Sequence, residues 1–596
     1  MFFFSPHASD GDLDPCREQP PAPSWDLKLE APEKKCARFP HARCCVERRF
    51  DPDLVLGPPG CGKTRWLLDR FTHELHAGVQ PERIALVTFT RAARAVALER
   101  AERQFQIPQG RLPWVRTIHS SAYRLLQLEP GRILDAERLA EFARKHGYKL
   151  TIDGRRIDDE SERGLTLGRT ADDRLLFAYE WGRSHGLDAP QTLSRCPVGN
   201  ISVSQFKLFV RRLEGFKREF NLLDFTDLLE RTLEAGLRPD VDVAMVDEAH
   251  DLSPLQIAVV ESWFTPCQRA YVAADDDQAI YGWQGASPDW IRSLASRREP
   301  YVLQDSHRVP RAVHALALRI IAPNVARTPK LYRPADRDGR VVRADLDGAL
   351  GIVARSDSAF VLVRNRQFIR RIAEALLERA IPYTVSGWGG SSPLDNVPAV
   401  RAVNLVLRLA RSEPGPFPAS HVAALLELVA TSSRHVPQAA RECIANMQGR
   451  GSLSRDDLCR RLALGALIEA IEEHGIGVLT VLRRNTRRYF ERLVGDAREL
   501  PAPTTTVTSI HVAKGDERRV VVVIPDMTRP THQAYLRGGA ERNEAENRAF
   551  YVAVTRTIET LVLVYPQTRR YFQFPRDTLG ACAARVAVRD SEGGAQ

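Results

Sequence analysis

Short, mostly apolar runs alternate along this chain with longer stretches in which apolar residues recur every three or four positions. Leu54–Leu56, Ile84–Val87, Val241–Val246 and Ala270–Ala274 are runs of the first kind, and each predicts a short buried strand. Ala92–Gln106 is of the second kind, and predicts a helix with arginines on its wet side. The same alternation returns at Ala359–Val363, helix Gln367–Arg379, Arg519–Ile524 and Leu561–Tyr565. Strand and helix in turn, with acidic residues where strands end, predict α/β units built on parallel sheets.

Two charge-rich, helical blocks interrupt this order. One lies at about Glu129–Phe220, and the other spans Leu394–Arg498 with a break at Glu413-Pro-Gly-Pro-Phe-Pro418. The expected organisation is therefore a first core from 51–128 and 221–298, interrupted by 129–220, and a second core from 299–393 and 499–580, interrupted by 394–498. Residues 1–50, with Gln19-Pro-Pro-Ala-Pro-Ser24, read as a loosely ordered extension, and 581–596 as a tail.

With 596 residues the chain exceeds what one core can organise, which suits about three or four domains. A hydrophobic content of 43% and a charged content of 27% are those of a globular protein. Its longest apolar runs fall short of the roughly 20 residues that span a bilayer, and Met1-Phe-Phe-Phe4 lacks the basic flank of a secretory signal. Ten cysteines follow no metal-type spacing, although Cys16, Cys36, Cys44 and Cys45 make a loose group; free cytosolic thiols are expected. The net charge of +10 favours a polyanionic partner. A cytoplasmic location is the expectation.

The chemistry begins at Gly57-Pro58-Pro59-Gly60-Cys61-Gly62-Lys63-Thr64, between a predicted strand and a predicted helix. Backbone N–H groups of such a loop converge on phosphate oxygens, and the helix start adds partial positive charge. Lys63 is placed to reach the β- and γ-phosphates of a nucleoside triphosphate, and the Thr64 hydroxyl to hold Mg²⁺. Val246 runs into Asp247-Glu248-Ala249-His250. A carboxylate at a buried strand end beside a phosphate loop makes Asp247 the second Mg²⁺ ligand, and Glu248 the general base for an attacking water. After the next strand comes Asp275-Asp276-Asp277-Gln278, where Gln278 can contact the γ-phosphate or the water. Tyr281 and Trp283 then offer either π-faces for bases or ordinary core.

On these residues the chain resembles the UvrD/Rep/PcrA-type helicases of superfamily one, from about Leu54 to Tyr565. The run from Asp275 to Ala286 follows that family's third motif, Thr88–Ala93 its single-strand contact motif, and Thr117-Ile-His119-Ser120 a further DNA-contact motif. Asp224–Leu229 is similar to another family element. Leu303–Arg308 resembles the fourth motif, Ser509–Glu517 the fifth, and Glu544–Arg556 the sixth.

The resemblance implies two RecA-like parallel-sheet motor cores with ATP and Mg²⁺ between them. It implies 3′-to-5′ movement on single-stranded DNA and action at single/double-strand junctions. It gives Arg308 a γ-phosphate contact, Arg556 the arginine-finger position and Glu517 a ribose contact. Phe89, Thr90, Thr117, His119, Tyr281, Trp283, Ser509 and His511 are the implied DNA contacts.

The chain departs from the family pattern in places. No adenine-reading glutamine directly precedes the loop, Gln284 and Arg91 replace the usual Arg and Asn, and the second insertion is short. Arg483-Arg484 and Arg487-Arg488 before Tyr489 fit either a solvated helix face or a grip on duplex phosphates. No nuclease-type carboxylate cluster stands outside the motor motifs.

Overall fold

The structure is a computed structural model that describes residues 49–575, apart from 89–90, 152–169, 197, 200, 283–284, 287, 388–390 and 496. Two six-stranded sheets organise it. The first takes β1 (Asp53–Leu56), β2 (Ile84–Val87), β3 (Val115–Arg116), β4 (Val243–Val246), β5 (Arg269–Ala274) and β6 (Tyr301–Val302) in the order β3-β2-β4-β5-β1-β6. All of its pairings are parallel.

A short ribbon, β7 (Asp305–Pro310) with β8 (Arg333–Ala335), follows. The second sheet is built from β9 (Arg340–Ala344), β10 (Ala359–Val363), β11 (Tyr383–Val385), β14 (Thr505–Ser509), β15 (Arg518–Ile524) and β16 (Thr557–Val564). Their order is β11-β14-β10-β15-β16-β9, again wholly parallel. The remaining pair, β12 (Phe417–Pro418) with β13 (Ser452–Leu453), is antiparallel and lies among the helices between β11 and β14.

Both sheets are apolar on both faces, as parallel sheets covered by helices must be. Along β1, Leu54 and Leu56 join one core while Val55 joins the other. Along β10, Ala359, Val361 and Val363 face one way and Phe360 and Leu362 the other. The predicted strands sit where the apolar runs lie, with ends displaced by at most a few residues. Strands β3, β6, β9, β11 and β14 were not foreseen. They are short or carry polar residues, and neighbouring strands supply the pairing that their own pattern does not announce.

Helices between β3 and β4 form a separate cluster around Phe142, Phe177, Phe209 and Phe216. A buried ionic knot ties this cluster to the first core. Arg183 bonds Asp224 at 2.8 Å and Asp227 at 2.6 Å, and Lys217 bonds the same two carboxylates at 2.7 and 2.8 Å. Among the described residues, no helix is long and apolar enough to cross a membrane.

Candidate nucleotide site at the seam between the cores

Parallel register brings the first set of residues together. Leu56 lies opposite Ala274, so the loop leaving β1 and the turn leaving β5 emerge side by side, joined by Gly57 N–H donating to the Ala274 carbonyl at 2.9 Å. Strand β4, on the other side of β5, delivers Asp247 to the same edge.

The loop then wraps toward the start of helix Lys63–His76, with Gly60 and Gly62 at φ +75° and +82°. Those angles need glycine. So does the space: a Cβ on Gly57 would lie 2.0 Å from Lys63 Cγ, and one on Gly60 would lie 2.5 Å from Arg308 Cβ. Lys63 folds back over the loop, with Nζ donating to the Gly57 carbonyl at 3.0 Å and lying 3.6 Å from Glu248 Oε1. Pro58, Pro59 and Cys61 complete the wall; burial pushes the Cys61 thiol up to about 12, so it is an inert filler.

Thr64 Oγ1 donates to Asp247 Oδ2 at 2.8 Å, and the backbone N–H of Glu248 donates to Asp247 Oδ1 at 2.9 Å. Burial and the neighbouring Glu248 push the Asp247 carboxyl up to about 6. A hydroxyl and a carboxylate held together are hard oxygen donors, a set that fits Mg²⁺. Burial also acts to raise Glu248, but the positive charges of Lys63, Lys514 and Arg556 outweigh it and hold the carboxyl below its ordinary value. It is thus ionised, as a base must be.

Glu248 adopts the left-handed conformation, φ +48° and ψ +38°, which a side chain rarely takes. His250 accepts the Asp275 N–H on Nδ1 at 3.0 Å, and its Nε2 lies 3.2 Å from Glu248 Oε2 and 3.0 Å from Lys514 Nζ. Burial and three lysines keep that ring neutral.

The second set arrives from the other sheet. Glu517 and Arg556 each directly precede a strand, β15 and β16, and the pairing of Arg518 with Thr557 sets them next to one another. Arg556 is only 2% exposed; its Nη2 donates to Gln278 Oε1 at 3.2 Å, and burial together with Arg308 pulls the guanidinium down to about 9. Gln278 in turn donates from Nε2 to Asp275 Oδ2 at 2.6 Å. Arg308 pairs with Glu517. Beside it, Ser306 donates to the Pro59 carbonyl at 2.7 Å and His307 N–H to the Gly60 carbonyl at 3.0 Å, docking β7 directly on the phosphate loop.

Lys514, inside the run Ser509–Glu517 but without a role assigned from sequence, crosses the seam as well. Its Nζ donates to Asp251 Oδ2 at 2.5 Å and to the Gln278 carbonyl at 2.9 Å. Its place within the fifth motif was the only available signal. Ser306, within Leu303–Arg308, and His250, within Asp247–His250, carried the same kind of signal.

The implied DNA contacts are more dispersed. Tyr281 donates its hydroxyl to the His511 carbonyl at 2.8 Å, its ring 6.0 Å from the His511 ring, so it acts as a strut between the cores. Ser509 is buried at the end of β14. Thr117 caps helix Ile118–Leu125 by accepting the Ser120 N–H, and His119 meets the edge of Phe225 at 5.6 Å. Phe89, Thr90 and Trp283, with Gln284, lie outside the described residues, as do Cys16, Cys36, Cys44 and Cys45. Arg483, Arg484 and Arg488 are exposed, whereas Arg487 Nη1 donates to the Gly477 carbonyl and Tyr489 is buried.

Comparison with known proteins gives a consistent picture. Residues 41–298 match the UvrD/REP helicase N-terminal domain. The chain is 27% identical over 572 residues to the ATP-dependent DNA helicase UvrD2 of Mycobacterium tuberculosis, covering 87% of this chain and 77% of that protein. It is 26% identical over 365 residues to the putative ATP-dependent DNA helicase YjcD of Bacillus subtilis, covering 56% of this chain and 46% of that one. With DNA helicase II of Escherichia coli it shares 25% identity over 379 residues, covering 56% and 49% respectively. The matches thus span about half the length of YjcD and of DNA helicase II.

Proposed function

We propose, from the premise that this chain belongs with the UvrD/Rep/PcrA-like helicases, that it is an ATP- and Mg²⁺-dependent DNA helicase. In this reading it moves 3′ to 5′ on single-stranded DNA and opens duplex at single/double-strand junctions. The observation that carries the reading is the seam itself: Lys63, Thr64, Asp247, Glu248 and Gln278 come from the first sheet's side, Lys514, Glu517 and Arg556 from the second sheet's side and Arg308 from the β7–β8 ribbon, and hydrogen bonds already join the two groups.

The residues divide the work by chemistry. The loop amides from Gly57 to Thr64 and the Lys63 ammonium bind phosphate oxygens, with Thr64 and Asp247 holding the metal. Bound Mg²⁺ would neutralise phosphate charge and return Asp247 to its carboxylate form. Glu248, kept ionised by its cationic neighbours, orients the attacking water and takes its proton. Arg556, supplied across the seam with its fork anchored on Gln278, stabilises charge as the phosphoryl group transfers; such arginines contribute about 10³–10⁵ in rate. Arg308 must exchange Glu517 for phosphate to join it, which releases Glu517 toward the sugar. Closure of the cores would then be strongest with triphosphate and weaken on hydrolysis, giving alternating grips on a strand bound across both.

Turnover of ATP with and without single-stranded DNA, run beside strand displacement on 3′- and 5′-tailed duplexes, tests this. DNA-stimulated turnover with displacement from 3′-tailed substrates is the expected result. Stimulated turnover without displacement would reduce the function to translocation on single strands, and turnover indifferent to DNA would overturn the reading.

A further inference from the structure

Three consecutive carboxylates, Asp275, Asp276 and Asp277, follow β5 and are each no more than 1% exposed. Burying three like charges without partners is prohibitive. Their oxygens lie close enough together to hold a cation, yet that place is filled by the second core. Lys330, itself 1% exposed, sets its Nζ 3.2 Å from Asp275 and 2.9 Å from Asp277, and donates to Asp276 Oδ1. Arg327 forks onto Asp277 with bonds of 2.8 and 2.5 Å, and the Thr328 N–H donates to Asp276 at 2.5 Å.

The segment carrying these cations is anchored at its other end. Glu544 accepts the N–H groups of Val325 and Ala326 at 2.8 and 3.1 Å, and Arg548 donates to the Ala326 carbonyl at 2.6 Å. Glu544 and Arg548 belong to helix Gly539–Val554, which ends two residues before Arg556. A closed circuit results. It runs from Arg556 to Gln278, from Gln278 to Asp275, from Asp275 to Lys330, and back through residues 324–330 to the helix that carries Arg556.

We infer that Lys330 and Arg327 are positioning residues, clamping the Asp275–Asp277 turn to the second core so that the Gln278 amide stays in register with the Arg556 guanidinium. This rests on the ATPase reading above. Asp275 is the shared atom group: it accepts from the Gln278 amide nitrogen, which fixes the amide's orientation and leaves Oε1 aimed at Arg556. Without Lys330, Asp275 loses its counter-charge and the amide its anchor. Neither cation contacts the phosphate loop. Their effect is therefore on turnover and not on nucleotide capture.

The test uses the full chain with K330M, K330M/D276N and R327Q, reading DNA-stimulated turnover, Mg-ADP affinity and melting temperature. ADP has no γ-phosphate, so its affinity reads the first-core loop and the sugar contact without the Arg308 and Arg556 contacts. K330M should lower kcat about tenfold or more, with ADP affinity unchanged. Removing one carboxylate along with the lysine, in K330M/D276N, should recover the melting temperature but not kcat, which separates positioning from simple charge balance. R327Q, at a side chain 19% exposed, should lower kcat in the same direction and decides the matter should the Lys330 variants not fold. Recovery of kcat together with melting temperature, or wild-type kcat in R327Q alongside non-folding Lys330 variants, overturns the clamp. A wild-type chain whose turnover ignores DNA overturns the functional reading instead, before any variant is compared.

Discussion

Lys514→Met should loosen the seam more than any other single change to a residue that need not touch nucleotide. The ammonium is nearly buried and meets Asp251, which is 3% exposed in its side chain, at 2.5 Å and the Gln278 carbonyl at 2.9 Å, with His250 Nε2 3.0 Å away. Among the described residues Lys514 is the one charged amine within ion-pair distance of Asp251: the second carboxylate oxygen lacks a hydrogen-bond partner, and burial already pushes the carboxyl up to about 6 despite Lys514 and the more distant Lys63. Removing one partner of a buried pair typically costs about 3–5 kcal/mol. A lower figure comes from the carboxyl itself, which at about 6 can escape by taking a proton for about 1.4 kcal/mol at pH 7. In an opened seam Asp251 would be hydrated, so the loss falls on closure and shifts that equilibrium by about 10–10³.

Energy transfer between dyes placed on the two cores, recorded with single-stranded DNA and a non-hydrolysable ATP analogue, should show the closed population collapse. Turnover should fall in parallel. The sign of the pH effect follows from Asp251: protonation becomes easier by about 1.4 kcal/mol for each unit that pH falls, so the variant's deficit should shrink between pH 8 and pH 6. K514M/D251N should recover part of the closed population at pH 7. A K514M protein that closes and turns over like wild type, with no pH-dependent deficit, would refute the reasoning.

Glu248→Gln should reduce turnover by at least about 10² while retaining nucleotide, measured by single-turnover hydrolysis beside analogue binding. Gly60→Ala places a Cβ at φ +75°, 2.5 Å from Arg308 Cβ and 2.8 Å from Ser306 Oγ; it should lower DNA-stimulated turnover more than tenfold, roughly 1.4 kcal/mol or more of lost closure, with little change in melting temperature. Arg183→Met strips the buried carboxylates Asp224 and Asp227 of a partner and should destabilise the first helical insertion by about 3–5 kcal/mol. Hydrogen exchange should then rise in helices Ala171–Ser184 and Phe225–Glu234 while β4 and β5 stay protected.

What the sequence by itself determined was local. An apolar run predicts a strand wherever it occurs, so β1, β2, β4, β5, β10, β15 and β16 could be read directly. A glycine-rich loop before a lysine and a threonine encodes its own cradle, since the ligand groups are backbone amides fixed by neighbouring residues. Glu248 and Gln278 were legible for the same reason, as each follows a readable strand. Tertiary structure alone decided which distant charges would meet. Nothing near Asp275–Asp277 in sequence says that Lys330 and Arg327 neutralise them, nor that Lys514 answers Asp251 across 263 positions. A buried charge demands a partner but does not specify where along the chain that partner lies. Only the packing of one sheet's edge against the other's selects it, and the seam exists through that choice.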